Sequence, residues 1–349
     1  MPWPDQARIA ARLEELWQIA RGPGGGADRP AFSLAEAEAM RLVAGWAREI
    51  GLDPGLDRHG NLWALPAGWS GPVVTAGSHV DTVPDGGRYD GALGTVLGLE
   101  LALGLTGGER GESEGDARAG VLVCVAEEAP RFGAGTVGSR LLVGTLPESA
   151  LQDLHDAHGC SAAAARREYL EALPELPRIE PPADRWVAHV EIHVAQRREL
   201  RQLGVVTRVA SPRRLEIELT GHAGHAGEVP MPRRRDALAA AAEVVLAVEA
   251  AAGAEAPETV ATVGTIAVAP GAVSVIPGWA GLGLDLRGID SESLGRLDAA
   301  IRTAVAEIAA RRGVDADLRL VRDGEPVALD ARLAASARRC ADELGITAT

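Results

Sequence analysis

Two short apolar runs, each emptying into polar residues, constrain this chain more than any other feature. Val73-Val74-Thr75 leads into Gly77-Ser78-His79-Val80-Asp81-Thr82-Val83-Pro84, and Val121-Leu122-Val123-Cys124-Val125 leads into Ala126-Glu127-Glu128. Between them lies Gly86-Gly87-Arg88-Tyr89-Asp90-Gly91-Ala92. Apolar runs of this length, bounded by turn residues, read as buried strands. In an open α/β sheet ligands bind in the crevice beyond strand ends. His79, Asp81, Asp90, Glu127 and Glu128 therefore fall where a site can form.

A third strand pattern, Trp186 to His193, ends on another imidazole. His, Asp and Glu are the ligands of hydrolytic divalent-metal sites. One carboxylate can bridge two ions, and a neighbouring carboxylate that is not a ligand can take a proton from water. The competing reading of each residue is ordinary: a histidine at a strand end is commonly structural, and a glutamate pair on a turn is commonly a solvated charge. The convergence of three such clusters on strand ends favours a metal hydrolase.

Composition removes other classes. The chain has 349 residues, enough for two domains, and a formal net charge of -14. It contains no lysine, so a lysine nucleophile, a Schiff base and a lysine phosphate loop are excluded. Nucleic-acid binding needs cations to neutralise phosphates, and the three arginines at 233 to 235 do not offset the acidic balance. No apolar run reaches the length of a membrane span, and the three cysteines form no spaced pair, as in a reducing cytosol. A small-molecule substrate in the cytoplasm is the expectation, with no nucleic-acid or membrane partner.

Apolar spacing predicts helices over 6–20, 34–50 and 91–105, and mostly helix over 147–170. Ser33 is placed to cap the second helix, with Glu36 as its reciprocal partner. Asp57 to Asn61 reads as a turn before a strand at 62–65. After Leu200 the pattern changes. Strands at 205–209 and 215–220, joined by a turn at Ser211-Pro212, precede a helix from about 235 to 249. Strands at 260–268 and 280–285 precede a helix from 291 to 311, capped by Ser291 and striped by Leu294, Leu297, Ile301, Val305 and Ile308. A strand at 317–321 and a helix at 330–344 close the chain. The order β-β-α-β-β-α-β, with two helices on one side of an antiparallel sheet, predicts an α/β sandwich near 204–322.

That domain also holds Gly221-His222-Ala223-Gly224-His225-Ala226-Gly227, where small residues leave imidazole edges free. Arg287 ends a strand, where a guanidinium can clamp a carboxylate; a surface ion pair is the competing reading.

These stretches, with Arg131-Phe132, Gly138-Ser139-Arg140, Glu191-Ile192-His193-Val194-Ala195-Gln196, Pro230-Met231, Arg234-Arg235-Asp236-Ala237 and Asp285-Leu286-Arg287, resemble the amidohydrolase branch of the M20 metallopeptidase superfamily. That branch contains N-carbamoyl-L-amino-acid hydrolases, allantoate amidohydrolases and beta-ureidopropionases. The resemblance implies a di-metal aminopeptidase-like α/β catalytic domain with an inserted α+β sandwich that serves as lid and dimer contact. On that pattern the catalytic domain takes 1–203 and 323–349, and the lid 204–322. His79, Asp90 and His193 would bind one ion, Asp90 would bridge, and Glu128 would bind the second. Glu127 would be the general base, and Asp81 would orient His79. Gln196, Ser274 and Arg287 would face the substrate, with Arg287 on its carboxylate. His225 would reach the partner subunit's site in a homodimer and steady an oxyanion. Zinc or manganese would serve as the divalent ion, with cobalt or nickel as substitutes.

Three departures from the family pattern bear on activity. Family members continue with a glycine-rich His-Asp segment whose histidine completes the second metal site, and here no histidine follows His225. The chain is therefore expected to be truncated, with an incomplete second site: one ion per chain competes with the family's two, and an apolar sheet edge is left open unless another arrangement covers it. Ala195-Gln196-Arg197 stands where the family has Glu-Gln-Gly, and Ser274 where it has Asn. A serine cannot present both donors and the acceptor of an amide. The alternative function is accordingly a catalytically weak or inactive homologue; an aminoacylase or peptidase is the third reading.

Overall fold

The computed structural model describes residues 4–106, 117–195 and 202–349. The chain divides into two compact units, Met1–Gln196 and Arg197–Thr349. Gln196 and Arg197 themselves lie outside the described residues, as does most of the acidic segment after Thr106.

The first unit runs α1 (Gln6–Gln18), α2 (Leu34–Glu49), β1 (Leu52–Leu56), β2 (Leu62–Pro66), β3 (Val73–Ala76), α3 (Ala92–Thr106), β4 (Arg118–Val123), α4 (Val137–Leu142), α5 (Ala162–Glu171) and β5 (Trp186–Val190). The sheet order is β1-β2-β4-β3-β5. β3 is parallel to both β4 and β5, while β1 and β2 run antiparallel. Three strands thus deliver their C-terminal ends to the same side. β1 was not foreseen, because Pro54 and Gly55 break its strand pattern; it sits at the sheet edge, where proline is tolerated. At the other edge β5 pairs only with β3 among the described strands, and Val187, Val190 and Ile192 are exposed beside it.

α3 packs on β3, β4 and α1. Its glycines permit this closeness: a Cβ at Gly98 would lie 2.7 Å from the Ala76 carbonyl, and one at Gly94 would lie 2.1 Å from that of Ile192. Ser33 caps α2 by accepting the Glu36 N–H at 3.1 Å, worth about 1 kcal/mol. The reciprocal half of the capping box does not form. The Ser33 N–H bonds the Pro30 carbonyl instead, and the Glu36 carboxylate goes elsewhere.

The second unit contains β6 (Arg208–Val209), β7 (Ser211–Thr220), β8 (Gly224–His225), α6 (Ala237–Gly253), β9 (Val260–Ala269), β10 (Val275–Ile276), β11 (Trp279–Gly288), α7 (Ser291–Arg312), β12 (Asp315–Arg322), β13 (Val327–Ala328) and α8 (Ala331–Glu343). Four antiparallel strands, ordered β12-β7-β11-β9, carry α6 and α7 against one face. The foreseen stripe of Leu294, Leu297, Ile301, Val305 and Ile308 is buried there against Leu282, Leu284 and Leu286.

Three expectations are corrected. Ser211-Pro212 is no turn but the start of β7, opposite Gly288 and Arg287. Pro212 is tolerated because it lies beyond Arg214, the last β7 residue that pairs with β12, so it interrupts no second ladder. The 205–209 run contributes only β6, which pairs with β13 and not with the main sheet. Finally, α7 is capped by Asp290, whose carboxylate accepts the Ser293 N–H at 2.9 Å, while Ser291 donates to Glu325. Residues 323–349 have partners in the 203–209 segment: besides β13 with β6, the Val205 N–H bonds the Thr349 carbonyl and Thr349 N–H that of Leu203.

Candidate metal centre

His79 is the third residue past β3, Glu127 the fourth past β4 and His193 the third past β5. His193 therefore sits beyond its strand and does not end it, which frees its ring from the sheet. Asp90 lies just before α3. A parallel β4-β3-β5 core thus gathers residues more than a hundred positions apart.

His79, Asp90 and His193 each offer a ligand atom within 4.8 Å of the other two, the one such cluster among the described residues. His193 Nε2 is 3.4 Å from Asp90 Oδ1, and His79 Nε2 is 4.0 Å from the same oxygen. Both rings present the correct nitrogen. His79 Nδ1 lies 3.1 Å from the Asp81 carbonyl and 3.4 Å from the Asp81 carboxylate. His193 Nδ1 lies 3.1 Å from the Val194 carbonyl. A carbonyl only accepts, so each Nδ1 carries the hydrogen and, in the neutral ring, Nε2 keeps its lone pair. His79 Nε2 is buried with no hydrogen-bond partner among the described residues and faces the carboxylates of Asp90 and Glu127. A buried orphan nitrogen surrounded by anions fits a divalent cation.

The electrostatics agree. Burial opposes charge on His79, but Asp81, Glu127 and Glu128 outweigh it and push its pKa up to about 10. Burial, with Asp81 and Glu191 adding to it, raises the Glu127 carboxyl. Burial and then Glu127 push Glu128 up to about 7. A cation arriving among these groups would displace their protons.

Asp81 holds the arrangement together. It is fully buried, and besides facing His79 it accepts the N–H of Glu127 at 3.1 Å and of Glu128 at 2.8 Å. Glu127 Oε2 stands 3.8 Å from His79 Nε2. The glutamates leave β4 through Ala126, whose φ of 52° is left-handed; that costs a residue with a Cβ of order 1–2 kcal/mol. Glu128 joins no triad among the described residues. It instead lines a cavity of about 500 Å³ with Phe32, Thr82, Arg131 and His158.

Two buried residues have partners that the sequence does not signal. Arg29 donates from Nε to the Val80 carbonyl at 2.7 Å and from Nη1 to the Leu16 carbonyl at 2.9 Å, bracing the His79–Asp81 segment. Glu36 accepts the Ala126 N–H at 2.8 Å. An arginine before a helix looks like a solvated charge in sequence, and the capping-box spacing of Glu36 points to the Ser33 amide rather than to Ala126.

In the second unit, β8 pairs His225 with Val275, and the Ala226 N–H bonds the Ser274 carbonyl at 2.9 Å. His225 and Ser274 are therefore neighbours. The Gly227 N–H donates to His225 Nδ1 at 3.1 Å, so the neutral ring carries its hydrogen on Nε2, on an exposed side chain. Arg234 braces this turn through the Ala226 and Val229 carbonyls. Arg287 is elsewhere. It donates from Nε to Asp285 at 2.8 Å, near the far end of β11 from Trp279, the end close to the His225 turn. Eight residue steps along the strand separate Trp279 from Arg287, about 26 Å.

Residues 213–313 match the family model described as a peptidase dimerisation domain. Over 344 residues the chain is 35% identical to the N-carbamoyl-L-amino acid amidohydrolase of Geobacillus stearothermophilus, covering 97% of this chain and 83% of that protein. It is 31% identical to the ureidoglycolate hydrolase of Arabidopsis thaliana, covering 98% and 74% respectively. The crystal structure of an amidase of the hydantoinase/carbamoylase family from Burkholderia multivorans superimposes with a TM-score of 0.83 at 33% identity, covering 99% of this chain and 84% of that one. On these matches the chain belongs to the amidohydrolase branch of the M20 peptidase superfamily.

Proposed function

We propose that this chain hydrolyses the C–N bond of an N-carbamoyl amino acid, allantoate or a related small ureido acid, as a metal-dependent homodimer. The observation that carries the reading is the orphaned, buried His79 Nε2 facing the Asp90 and Glu127 carboxylates. A divalent ion held by His79, Asp90 and His193 would supply Lewis-acid polarisation of the substrate carbonyl and acidify water beside it. Zinc and manganese suit this donor set.

The remaining work falls to the chain. Glu127, with its pKa raised by burial, takes the proton of the attacking water and returns it to the leaving nitrogen. Asp81 keeps the His79 ring in its tautomer. Arg287 binds the substrate carboxylate, with Gln196 and Ser274 as further substrate contacts, and the His225 Nε2–H donates to the developing oxyanion. The His225 turn lies near the Trp279 end of β11 and Arg287 near the other, about 26 Å along the strand, which argues against one chain presenting both to one small substrate. The match to a dimerisation domain supports supply of His225 by the partner. Asp90 and Glu128 would be this chain's own ligands for any second ion. The likeness to curated carbamoyl and ureido hydrolases supports the substrate class, and free cysteines support a reducing, cytoplasmic setting. No helix among the described residues is long and apolar enough to cross a membrane.

The single triad favours a second reading, a binding protein or weak enzyme with one ion. Ammonia release from N-carbamoyl amino acids, allantoate and ureidopropionate, with manganese, cobalt or zinc added, separates the two. Turnover that Glu127→Gln abolishes supports the hydrolase; silence on the whole panel with metal bound supports the second reading.

A further inference from the structure

Glu36 is fully buried in the first turn of α2, yet its carboxylate serves a segment ninety positions away. Oε2 accepts the Phe32 N–H at 2.5 Å and Oε1 accepts the Ala126 N–H at 2.8 Å. The next two amides, of Glu127 and Glu128, go to Asp81. On the carbonyl side, Ala126 accepts from Val137 and Glu127 from Thr136. Three successive amides are thus held by two buried carboxylates rooted in different elements. They clamp the backbone where Ala126 takes its left-handed turn.

We propose that Glu36 is a positioning residue for Glu127: it holds the Ala126 turn that aims the Glu127 carboxylate toward His79 Nε2. The inference rests on the reading of Glu127 as the base. Both Glu36 oxygens must accept, one from each segment. An amide in its place has a single acceptor and turns a donor toward one of the two N–H groups. The Ala126 amide is then left unpaired or the Phe32 amide is, and a left-handed alanine loses its restraint. Small misplacement of a catalytic group is enough to cost rate. Helix capping alone does not explain Glu36, because the Ser33 N–H is already satisfied by Pro30.

The test compares Glu36→Gln with Ser33→Ala by hydrogen exchange, metal affinity and steady-state kinetics. In the wild-type chain, peptides spanning 124–130 should exchange as slowly as those of β4; fast exchange there overturns the proposal even if the variant does not fold. Glu36→Gln should exchange at least about tenfold faster at 126–128, with kcat lowered about 10- to 100-fold and KM and zinc affinity within about twofold of wild type. Ser33→Ala should loosen the start of α2 and leave kcat unchanged. Adding Ala126→Gly to Glu36→Gln should recover part of kcat, since glycine takes the turn without strain. Unchanged exchange at 126–128 in Glu36→Gln, or a kcat loss that only follows lost metal, overturns the proposal. A wild-type chain without turnover refutes the base reading separately and leaves the exchange result to decide what Glu36 holds.

Discussion

The His79 ring sets its Nδ1 3.4 Å from the Asp81 carboxylate and turns its Nε2 to Asp90 and Glu127. One side of the ring is thereby committed to the fold and the other to a ligand. Asp81 performs a second task with the same carboxylate, holding the amides of Glu127 and Glu128. The orientation of the His79 ring and the backbone that carries Glu127 and Glu128 are coupled through one buried side chain.

Asp81→Asn tests that coupling. An amide cannot accept at both oxygen positions, so either the histidine or the glutamate turn loses its partner. Metal affinity should fall about 10- to 100-fold, read by competition with a chromophoric chelator. Affinity equal to wild type would show that Asp81 does not orient the ligand ring.

Stability of the metal-free chain should fall as pH rises from about 5 to 8. Burial and then Glu127 raise Glu128 from 4.5 to about 7, and burial and then Asp81 raise Glu36 well above 4.5. Folding therefore favours the protonated forms, and their contribution is present below 4.5 and lost as pH climbs through the folded value. His79, raised from 6.5 to about 10, contributes fully below about 6.5 and adds to the fall above it, its contribution being gone only past about 10. Added zinc should therefore raise Tm more at pH 8 than at pH 5; the reverse order would contradict the assignment of these groups to the ion.

Gly91 has φ of 64°, and a Cβ there would stand 2.5 Å from His79 Nδ1. Gly91→Ala should displace the ring from Asp81, lose the ion and destabilise the chain by roughly 2 kcal/mol or more, from the left-handed backbone and the overlap together. Metal content and a urea titration measure both. Gly133→Ala, where φ is 69° but nothing lies within 4 Å, should cost only the backbone part and retain the metal.

Complementation tests the division of labour across β11. Glu127→Gln and His225→Ala dimers should each be inactive. Mixed one to one and allowed to exchange, they should recover about a quarter of wild-type activity, because half the dimers are hybrids with one intact site. No recovery after verified exchange would place His225 in its own chain's site.

Much of the centre was legible because strand ends leave a local trace. Apolar runs that stop at His79, Glu127 and His193 mark where a sheet delivers side chains, and the α7 stripe marks a buried helix face by period alone. Errors fell where a short-range rule met a longer-range competitor. Glu36 satisfies the capping-box spacing but finds the Ala126 amide. Ser291 has the cap chemistry, but Asp290 precedes it and takes the Ser293 amide. Ser211-Pro212 reads as a turn, yet the chain needs those residues opposite Gly288 and Arg287. Gln196 and Arg197 lie outside the described residues, so their roles rest on the resemblance.

By itself the sequence determined the chemistry available: no lysine, an acidic balance, and imidazoles and carboxylates at the ends of apolar runs. It also determined the family, through motifs spread along the chain. Tertiary structure alone decided which of those groups meet. Parallel pairing of β3 with β4 and β5 brings His79 beside Asp90 and His193, and β11 sets Arg287 at the end away from the His225 turn. The physical reason is that local propensity and periodicity act over a few residues, whereas ligand geometry, burial and the resulting pKa shifts depend on neighbours that only strand register and packing supply.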